Sequence, residues 1–358
     1  MQRFASLLEV ELRRMGVAVE VIRPRPVFGR LKPGATGIGK WLGYLDKFFI
    51  FPFELRRAAS RMGGDCLVHI CDHSNAFYTR WLRGTPHLVT CNDLLAVRSA
   101  LGEFAVNPTR LTGRRLQQMI LGGLREARRI ACISEATKTD LLRALGDERR
   151  CVDVVYMGVD SSWSPMPRGE AERCLRKIDG VEAPFILHVG GTQWYKNRAG
   201  VLAIHEALGA ERVRVKLVIA GPRDGVEADV VYAGRVDDET LRALYSSAEL
   251  LLFPSLEEGY GWPIVEAQAC GCRVATTQKP PMTEAGGDAA FYLPPYDAGT
   301  DRREWAAAAT QLIRSALEQD DGARSETVAR GLKNAARFSA EIMAQRYVEI
   351  YKGLLYKA

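Results

Sequence analysis

Two glutamates separated by eight positions at a glycine-rich loop-to-helix junction give the sequence its strongest chemical signal. The stretch from Pro254 to Gly271 reads PSLEEGYGWPIVEAQACG. The apolar run before it, residues 250–253, predicts a strand that runs out into a loop holding Glu258, Gly259 and Gly261. A helix should start near Pro263, since proline suits a first helical position. Glu258 then lies at the strand's carboxyl end and Glu266 in the first turns of the helix. Glycines there let a ligand come close to the backbone, and the open N–H groups of a helix start favour a phosphate. Carboxylates beside such a pocket would not hold the phosphate itself. They suit hydroxyl donors, as on a ribose or another sugar. On spacing alone, a strand–turn–helix with two surface glutamates is an equally good reading.

The rest of the chain supplies a scaffold for that junction. Apolar residues at 4, 7, 8, 12 and 15 mark one face of a helix that Gly16 ends. Residues 17–22 alternate as a strand does, residues 24–39 are loop, and a helix is expected over 40–62. Strands at 66–71, 87–91, 129–133 and 152–156 alternate with helices over 114–128 and from the N-cap Ser134 to 145. Residues 157–169 hold two glycines and two prolines and mark a domain boundary. A second series follows, with strands at 185–189, 215–220, 230–232, 250–253 and 273–276. Its helices fall at 198–207, 237–246 and 263–270, and the chain is helical after about residue 302. The expected fold is α/β, two Rossmann-like domains whose parallel sheets face a cleft, with ligands at the strands' carboxyl ends. The boundaries are 1–160 for the first domain, 161–337 for the second and 338–358 for a closing helix.

Composition narrows the classes. The chain has 358 residues, 47% hydrophobic and 26% charged, enough for two cores and unlike a disordered or disulfide-stapled chain. A net charge of +6 is no nucleic-acid footprint on a chain this long. No apolar run reaches the roughly 20 residues of a membrane span, and Glu9 and Glu11 interrupt any signal sequence. The eight cysteines form no C-x-x-C pair, so free thiols in a cytoplasmic protein are expected.

The segment from Glu258 to Gly271 resembles the E-x7-E signature of retaining GT-B glycosyltransferases of the family 4 (group 1) type. Val155-Tyr-Met-Gly-Val-Asp160 is similar to the family's domain-crossover segment, and residues 186–197 (ILHVGGTQWYKN) to its donor-phosphate loop. Residues 232–245 and 339–351 match its stretch before the signature and its closing helix, which crosses back onto the first domain. The motifs run in family order over about 130–350. The resemblance implies that Glu258 contacts donor-sugar hydroxyls, that Glu266 holds the nucleotide ribose and that Lys196 meets the diphosphate. Gly190, Gly191, Gly259, Tyr260, Gly261 and the helix start at Ile264 and Val265 would complete the donor pocket. It also implies a nucleotide diphosphate sugar as donor, a hexose of mannose or glucose type, and no metal or other cofactor. The acceptor would be a glycan or a lipid-linked glycan, with no nucleic acid as partner. The resemblance further implies that anomeric configuration would be kept, with the leaving phosphate acting as base on the donor's own face.

Some positions depart from the family. Gly191-Thr192 stands where many members carry an arginine, which leaves Lys196 without that partner unless Arg235 or another basic residue serves. Thr90-Cys91-Asn92-Asp93 stands where a His-Asp pair is usual, and an asparagine carries no proton. Asn92 and Asp93 are therefore acceptor-side or sugar-orienting candidates, with His73 in a second polar cluster. The chain opens on a helix where a strand and a glycine loop are expected. Either the true start lies upstream or the sheet is one strand short. Gly34, Gly37 and Gly39 lack the spacing of a dinucleotide fingerprint. Residues 40–52 mix aromatics with lysines, and a core helix with its lysines outward is favoured over a membrane-surface helix. Another GT-B enzyme (an epimerase or a phosphorylase) and a degenerate GT-B subunit are the alternatives.

Overall fold

Short apolar runs separated by helices leave strands buried on both faces, which only parallel sheets sandwiched by helices accommodate. The computed structural model, which describes residues 2–25, 27–28, 42–43, 45–61, 66–146, 151–225, 229–297 and 299–356, shows two such sheets. In the first, β1 (Val68–Ile70), β2 (His87–Cys91), β3 (Arg129–Cys132) and β4 (Val152–Val154) lie side by side in chain order, all parallel. The second contains β5 (Phe185–Val189), β6 (Lys216–Ala220), β7 (Val230–Tyr232), β8 (Leu250–Phe253), β9 (Val274–Thr277) and β10 (Ala290–Leu293). Its spatial order is β10-β9-β8-β5-β6-β7, also parallel throughout. The order reverses between β5 and β8, so their carboxyl ends splay apart and open a crevice. The loop after β5 carries Lys196 and the loop after β8 carries Glu258. That is why these two side chains meet.

The helices that matter to the site are α1 (Gln2–Arg14), α2 (Phe51–Arg61), α3 (Leu95–Ala100), α4 (Leu111–Glu126), α5 (Glu135–Leu145), α6 (Arg168–Leu175), α7 (Arg198–Ala210), α8 (Asp238–Ser247) and α9 (Trp262–Ala269). After them come α10 (Met282–Gly286), α11 (Arg302–Leu317), α12 (Asp321–Ala335) and α13 (Ala340–Leu355). The last of these crosses back onto the first sheet. Its Tyr351 hydroxyl lies 2.8 Å from His69 Nδ1 on β1, and its Tyr347 hydroxyl 2.9 Å from Thr90 Oγ1 on β2. Tyr347 also meets Phe4 of α1, ring centroids 5.9 Å apart. Where the chain passes between sheets, Val159 and Ser339 form a parallel bridge. A Cβ on Gly158 would fall 2.6 Å from the Ala340 Cα, so only glycine lets the two crossing segments touch.

Most predicted elements form within one to three residues of their expected ends. Three readings are corrected. Residues 17–22 pair with no strand among the described residues. Val17 and Val19 still turn toward the core, so the alternation records burial without a ladder. The helix expected over 40–62 is α2 preceded by a π-helical turn, Asp46–Ile50, and its lysine does not point outward. Lys47 is half-buried over the Phe77 ring, while Phe49 and Phe53 are 65% and 74% exposed. Pro263 is the second residue of α9, behind a left-handed Gly261 at φ +106°. Strand β10 and helices α3, α6 and α10 are additional to the expected elements. Gly34, Gly37, Gly39 and Lys40 lie outside the described residues. All eight cysteines are free.

Candidate active site

The crevice at the β5/β8 switch is zipped by three contacts between its two loops. Leu256 N–H donates to the Tyr195 carbonyl at 2.8 Å, and Asn197 Nδ2 to the Pro254 carbonyl at 3.0 Å. Lys196 Nζ donates to Glu258 Oε1 at 2.6 Å, with both side chains mostly buried. Lys196 therefore has a partner, supplied by the signature glutamate itself. Arg235 is exposed in the turn after β7 and makes no ion pair among the described residues. Asn197, at φ +53°, also caps α7 by accepting the Gly200 N–H at 3.2 Å. An ammonium has three protons to give, so one bond to Glu258 leaves Lys196 able to donate into the crevice.

Gly190 and Gly191 are held from behind by Arg198, which sequence reasoning missed. Its Nη2 donates to the Gly190 carbonyl at 2.8 Å, and its Nη1 to Asp224 Oδ1 at 2.7 Å and the Pro222 carbonyl at 2.8 Å. Gly221 was missed too. A Cβ there would lie 2.0 Å from the Gly190 carbonyl oxygen, so the β5 and β6 loops touch only through glycine. His188, also missed, is fully buried beneath this loop. Its Nδ1 lies 3.0 Å from the Leu252 carbonyl and its Nε2 has no partner. Burial lowers its pKa to about 4, so the ring is neutral and Nε2 is an acceptor. The one sequence signal for His188 was a polar residue inside an otherwise apolar strand.

Glu266 is buried, 3% exposed, and belongs to no open surface. Its Oε1 accepts from Arg3 Nη1 at 2.7 Å and its Oε2 from the Tyr245 hydroxyl at 3.2 Å. Burial raises the Glu266 pKa, against which the Arg3 charge acts to lower it. The phenol of Tyr245, deeply buried beside that carboxylate, is held well above its ordinary value and stays a donor.

The remaining donor-side candidates lie in varied surroundings. The Tyr260 side chain packs in the crossover core, with ring centroids 5.9 Å from Tyr156 and 5.8 Å from Phe338. The side chains of Ile264 and Val265 are fully buried, so only backbone could meet a ligand there, and the Ile264 N–H is already spent on the Gly261 carbonyl. Gly259 also has a packing reason to be glycine. A Cβ on it would lie 2.1 Å from the Asn92 carbonyl oxygen and 2.9 Å from Asp93 Cβ. The two domains thus meet backbone to backbone at this point. Ser134 Oγ and Thr137 Oγ1, at the start of α5, donate to the Gly259 carbonyl at 2.7 and 3.1 Å.

The first domain's candidates come together beneath that contact. The Asn92 N–H points at His73 Nδ1 at 3.4 Å, its Nδ2 at the Cys71 carbonyl at 3.4 Å, and its buried Oδ1 has no partner. His73 is itself buried behind Asn92. Asp93 accepts the Leu95 N–H at 3.1 Å and starts α3, a structural task that competes with a chemical one. Beside Glu258 lies a cavity of about 440 Å³ walled by both domains, among them Arg98, Glu135, Asp140, Lys279 and Glu284. Glu284 reaches across it to accept the N–H groups of Glu135 and Ala136 at 2.7 and 2.9 Å. Those are the open donors of the α5 start, satisfied by a carboxylate from the other domain.

This arrangement of two parallel sheets and a cleft-lining signature has known counterparts. Residues 1–163 match the family model described as Glycosyltransferase Family 4, and residues 183–315 that described as Glycosyl transferases group 1. The chain belongs to the group 1, family 4 glycosyltransferases. Among curated members, the O-antigen chain mannosyltransferase B of Escherichia coli is 28% identical over 254 residues, 67% of this chain and 64% of that protein. A 2-deoxystreptamine glucosyltransferase of Streptomyces kanamyceticus is 34% identical over 42% of this chain and 43% of that protein. The chain thus aligns with less than two thirds of the length of either relative. Among solved structures, the Anabaena protein HepE in complex with UDP and glucose superposes with a TM-score of 0.67 at 16% identity, covering 96% of this chain and 88% of that one. Sucrose-phosphate synthase from Thermosynechococcus elongatus gives 0.66 at 21% identity over 87% of this chain and 80% of that one. The fold of this glycosyltransferase family member is accordingly GT-B. Among its described residues no helix is long and apolar enough to cross a membrane.

Proposed function

We propose that the chain is a retaining hexosyltransferase that takes a sugar, mannose first among candidates, from a nucleotide diphosphate donor to a glycan acceptor. The observation that carries the reading is the Lys196–Glu258 pair at the switch point, 2.6 Å apart, between the glycine loop after β5 and the start of α9. Lys196 opposes the negative charge that grows on the departing diphosphate, and Glu258 receives sugar hydroxyls next to it. The anomeric carbon–oxygen bond to the diphosphate breaks while a bond to the acceptor oxygen forms on the same face. The acceptor's proton goes to the leaving phosphate oxygen, so Asn92 need carry none. Asn92 Oδ1, buried and unpartnered, suits the orienting of a sugar hydroxyl. In this reading no metal is required, and the 440 Å³ cavity beside Glu258 receives the acceptor, its carboxylates accepting hydrogen bonds from the acceptor's other hydroxyls.

A lipid-linked acceptor is supported by the outer face of α2 and the turn before it. Leu45, Phe49 and Phe53 stand exposed along one side, followed by the exposed Arg56, Arg57 and Arg61. Such a face fits an anionic bilayer surface. Co-sedimentation with vesicles containing phosphatidylglycerol should fall at least severalfold in Phe49→Ser/Phe53→Ser, and unchanged sedimentation removes the membrane from the reading.

The decisive experiment is calorimetric titration with UDP, GDP, ADP and their sugar conjugates, followed by NMR of the product's anomeric configuration. Preference for one nucleotide, lost in Glu266→Ala, with a retained anomer, is the expected result. A second reading is favoured by one observation: Glu258 and Glu266 are both already bridged within the protein. A chain that binds no nucleotide and turns nothing over would be a degenerate subunit serving a partner.

A further inference from the structure

Glu266 lies on the second sheet's side of the molecule, yet its counter-charge comes from the first helix of the other domain. Arg3 stands 263 positions away in sequence. Its guanidinium is held between two indoles, 4.8 Å from the Trp163 ring centre in the crossover and 4.6 Å from that of Trp262 at the start of α9. Helix α1 is itself fixed by Phe4, buried against Tyr347 of α13. Three segments therefore build a socket that aims one arginine at one buried carboxylate. A surface ion pair needs no such socket.

The bonding capacity of Glu266 shows what the pair leaves free. An ionised carboxylate offers about four lone-pair positions. Arg3 uses one on Oε1 and Tyr245 one on Oε2. One remains on each oxygen, the complement of two vicinal hydroxyls. We propose that Arg3 is a positioning residue of the donor site, holding Glu266 charged and oriented so that its two free lone pairs receive the 2′- and 3′-hydroxyls of a nucleotide's ribose. The proposal rests on the assignment of Glu266 to the ribose. It makes the ribose pocket a two-domain structure, formed only while α1 is docked against α9. The groups facing Glu266 are Arg3 from α1 and Tyr245 and Asp238 from α8, with Cys270 on its own helix. Arg3 is the one cation among them. Without it, burial and Asp238 both push the Glu266 proton on, and the carboxyl becomes a poor hydroxyl acceptor.

The test uses the full chain and compares whichever of UDP, GDP or ADP binds with its 2′-deoxy counterpart. Wild type should bind the deoxy form about tenfold or more weakly, the loss of a hydrogen bond to a charged group. Arg3→Met should bring that ratio close to one and move the loss of affinity on acidification to a higher pH. Arg3→Lys, which keeps the charge without the planar stack, should keep the pH profile and lower the ratio severalfold. An arginine that merely clamps the domains would weaken both nucleotides equally, so a wild-type ratio in whichever variant folds overturns the proposal. Glu266→Gln separates the two layers. If it keeps the wild-type ratio, the ribose assignment beneath fails, whereas if it abolishes the ratio and the Arg3 variants do not, only the role of Arg3 fails. Absence of binding by all three nucleotides in wild type removes both.

Discussion

The sharpest prediction concerns a single methyl group at the domain contact. Gly259 needs glycine for space alone, since its φ lies outside the left-handed region. A Cβ there would sit 2.1 Å from the Asn92 carbonyl oxygen. An ordinary carbon–oxygen contact is about 3.3 Å, so Gly259→Ala must open this contact by roughly 1.2 Å. The same shift stretches the hydroxyl bonds from Ser134 and Thr137 to the Gly259 carbonyl. Misplacing reacting groups by about 1 Å costs on the order of a hundredfold in rate, or about 2.7 kcal/mol of transition-state stabilisation. Steady-state turnover of the nucleotide sugar should therefore fall about a hundredfold. The unfolding transition should fall as well, by roughly 1–3 kcal/mol, because a Cβ forced against a backbone carbonyl overpacks the contact. Gly261→Ala is the contrasting control. At φ +106° it forces a side chain into a disfavoured conformation and should lose roughly 1–2 kcal/mol of stability. Turnover by Gly259→Ala within about twofold of wild type would refute the argument that chemistry occurs with the two backbones in contact as described.

Other expectations follow from the same geometry. Lys196→Ala should lower turnover more than nucleotide affinity, because it opposes charge that grows in the transition state, and equal losses in both would remove that role. It also strands Glu258 in a mostly buried site, so Lys196→Met/Glu258→Gln should recover in chemical denaturation much of the roughly 1–3 kcal/mol lost in Lys196→Met, without recovering activity. His69 and His188 are buried and neutral, with pKa values lowered from 6.5 to about 3 and about 4. Unfolded histidines take up protons below pH 6.5 that the folded ones refuse, so stability falls as pH drops below that point. The loss is about 1.4 kcal/mol for each at pH 5.5. Urea unfolding at pH 7.5 and 5.5 should show it, and His69→Gln should remove about 1.4 kcal/mol of the difference; an unchanged difference would mean that His69 is not the group refusing the proton. Ser134→Ala/Thr137→Val should reduce turnover less than Gly259→Ala, since it loosens the same contact without forcing it open, and a larger loss would give the hydroxyls a role beyond that contact.

Local pattern carried a large part of this protein. The β8–α9 junction was legible because strand, glycine loop and helix start are one continuous segment whose hydrophobic period changes within eighteen residues. The β5 loop was legible for the same reason, and with it Lys196. Residues 17–22 misled because alternation reports which side is buried, while a strand also needs a neighbour to bond with. In the aromatic stretch leading into α2, composition does not say which face packs: Phe51 and Leu55 are buried, as a core helix requires, while Phe49 and Phe53 are exposed.

The sequence by itself determined the α/β architecture, the glycine loops and the identity of the two signature glutamates, because each is encoded within one or two consecutive elements. Tertiary structure alone decided what those glutamates touch. Arg3 on Glu266, Glu284 on the start of α5 and the Asn92 carbonyl against Gly259 join residues 263, 148 and 167 positions apart. Periodicity and spacing decay within a few helical turns, whereas such contacts depend on how two sheets and a returning helix are docked. One buried carboxylate therefore looks the same in sequence whether solvent, a sugar or an arginine from the far end of the chain will face it.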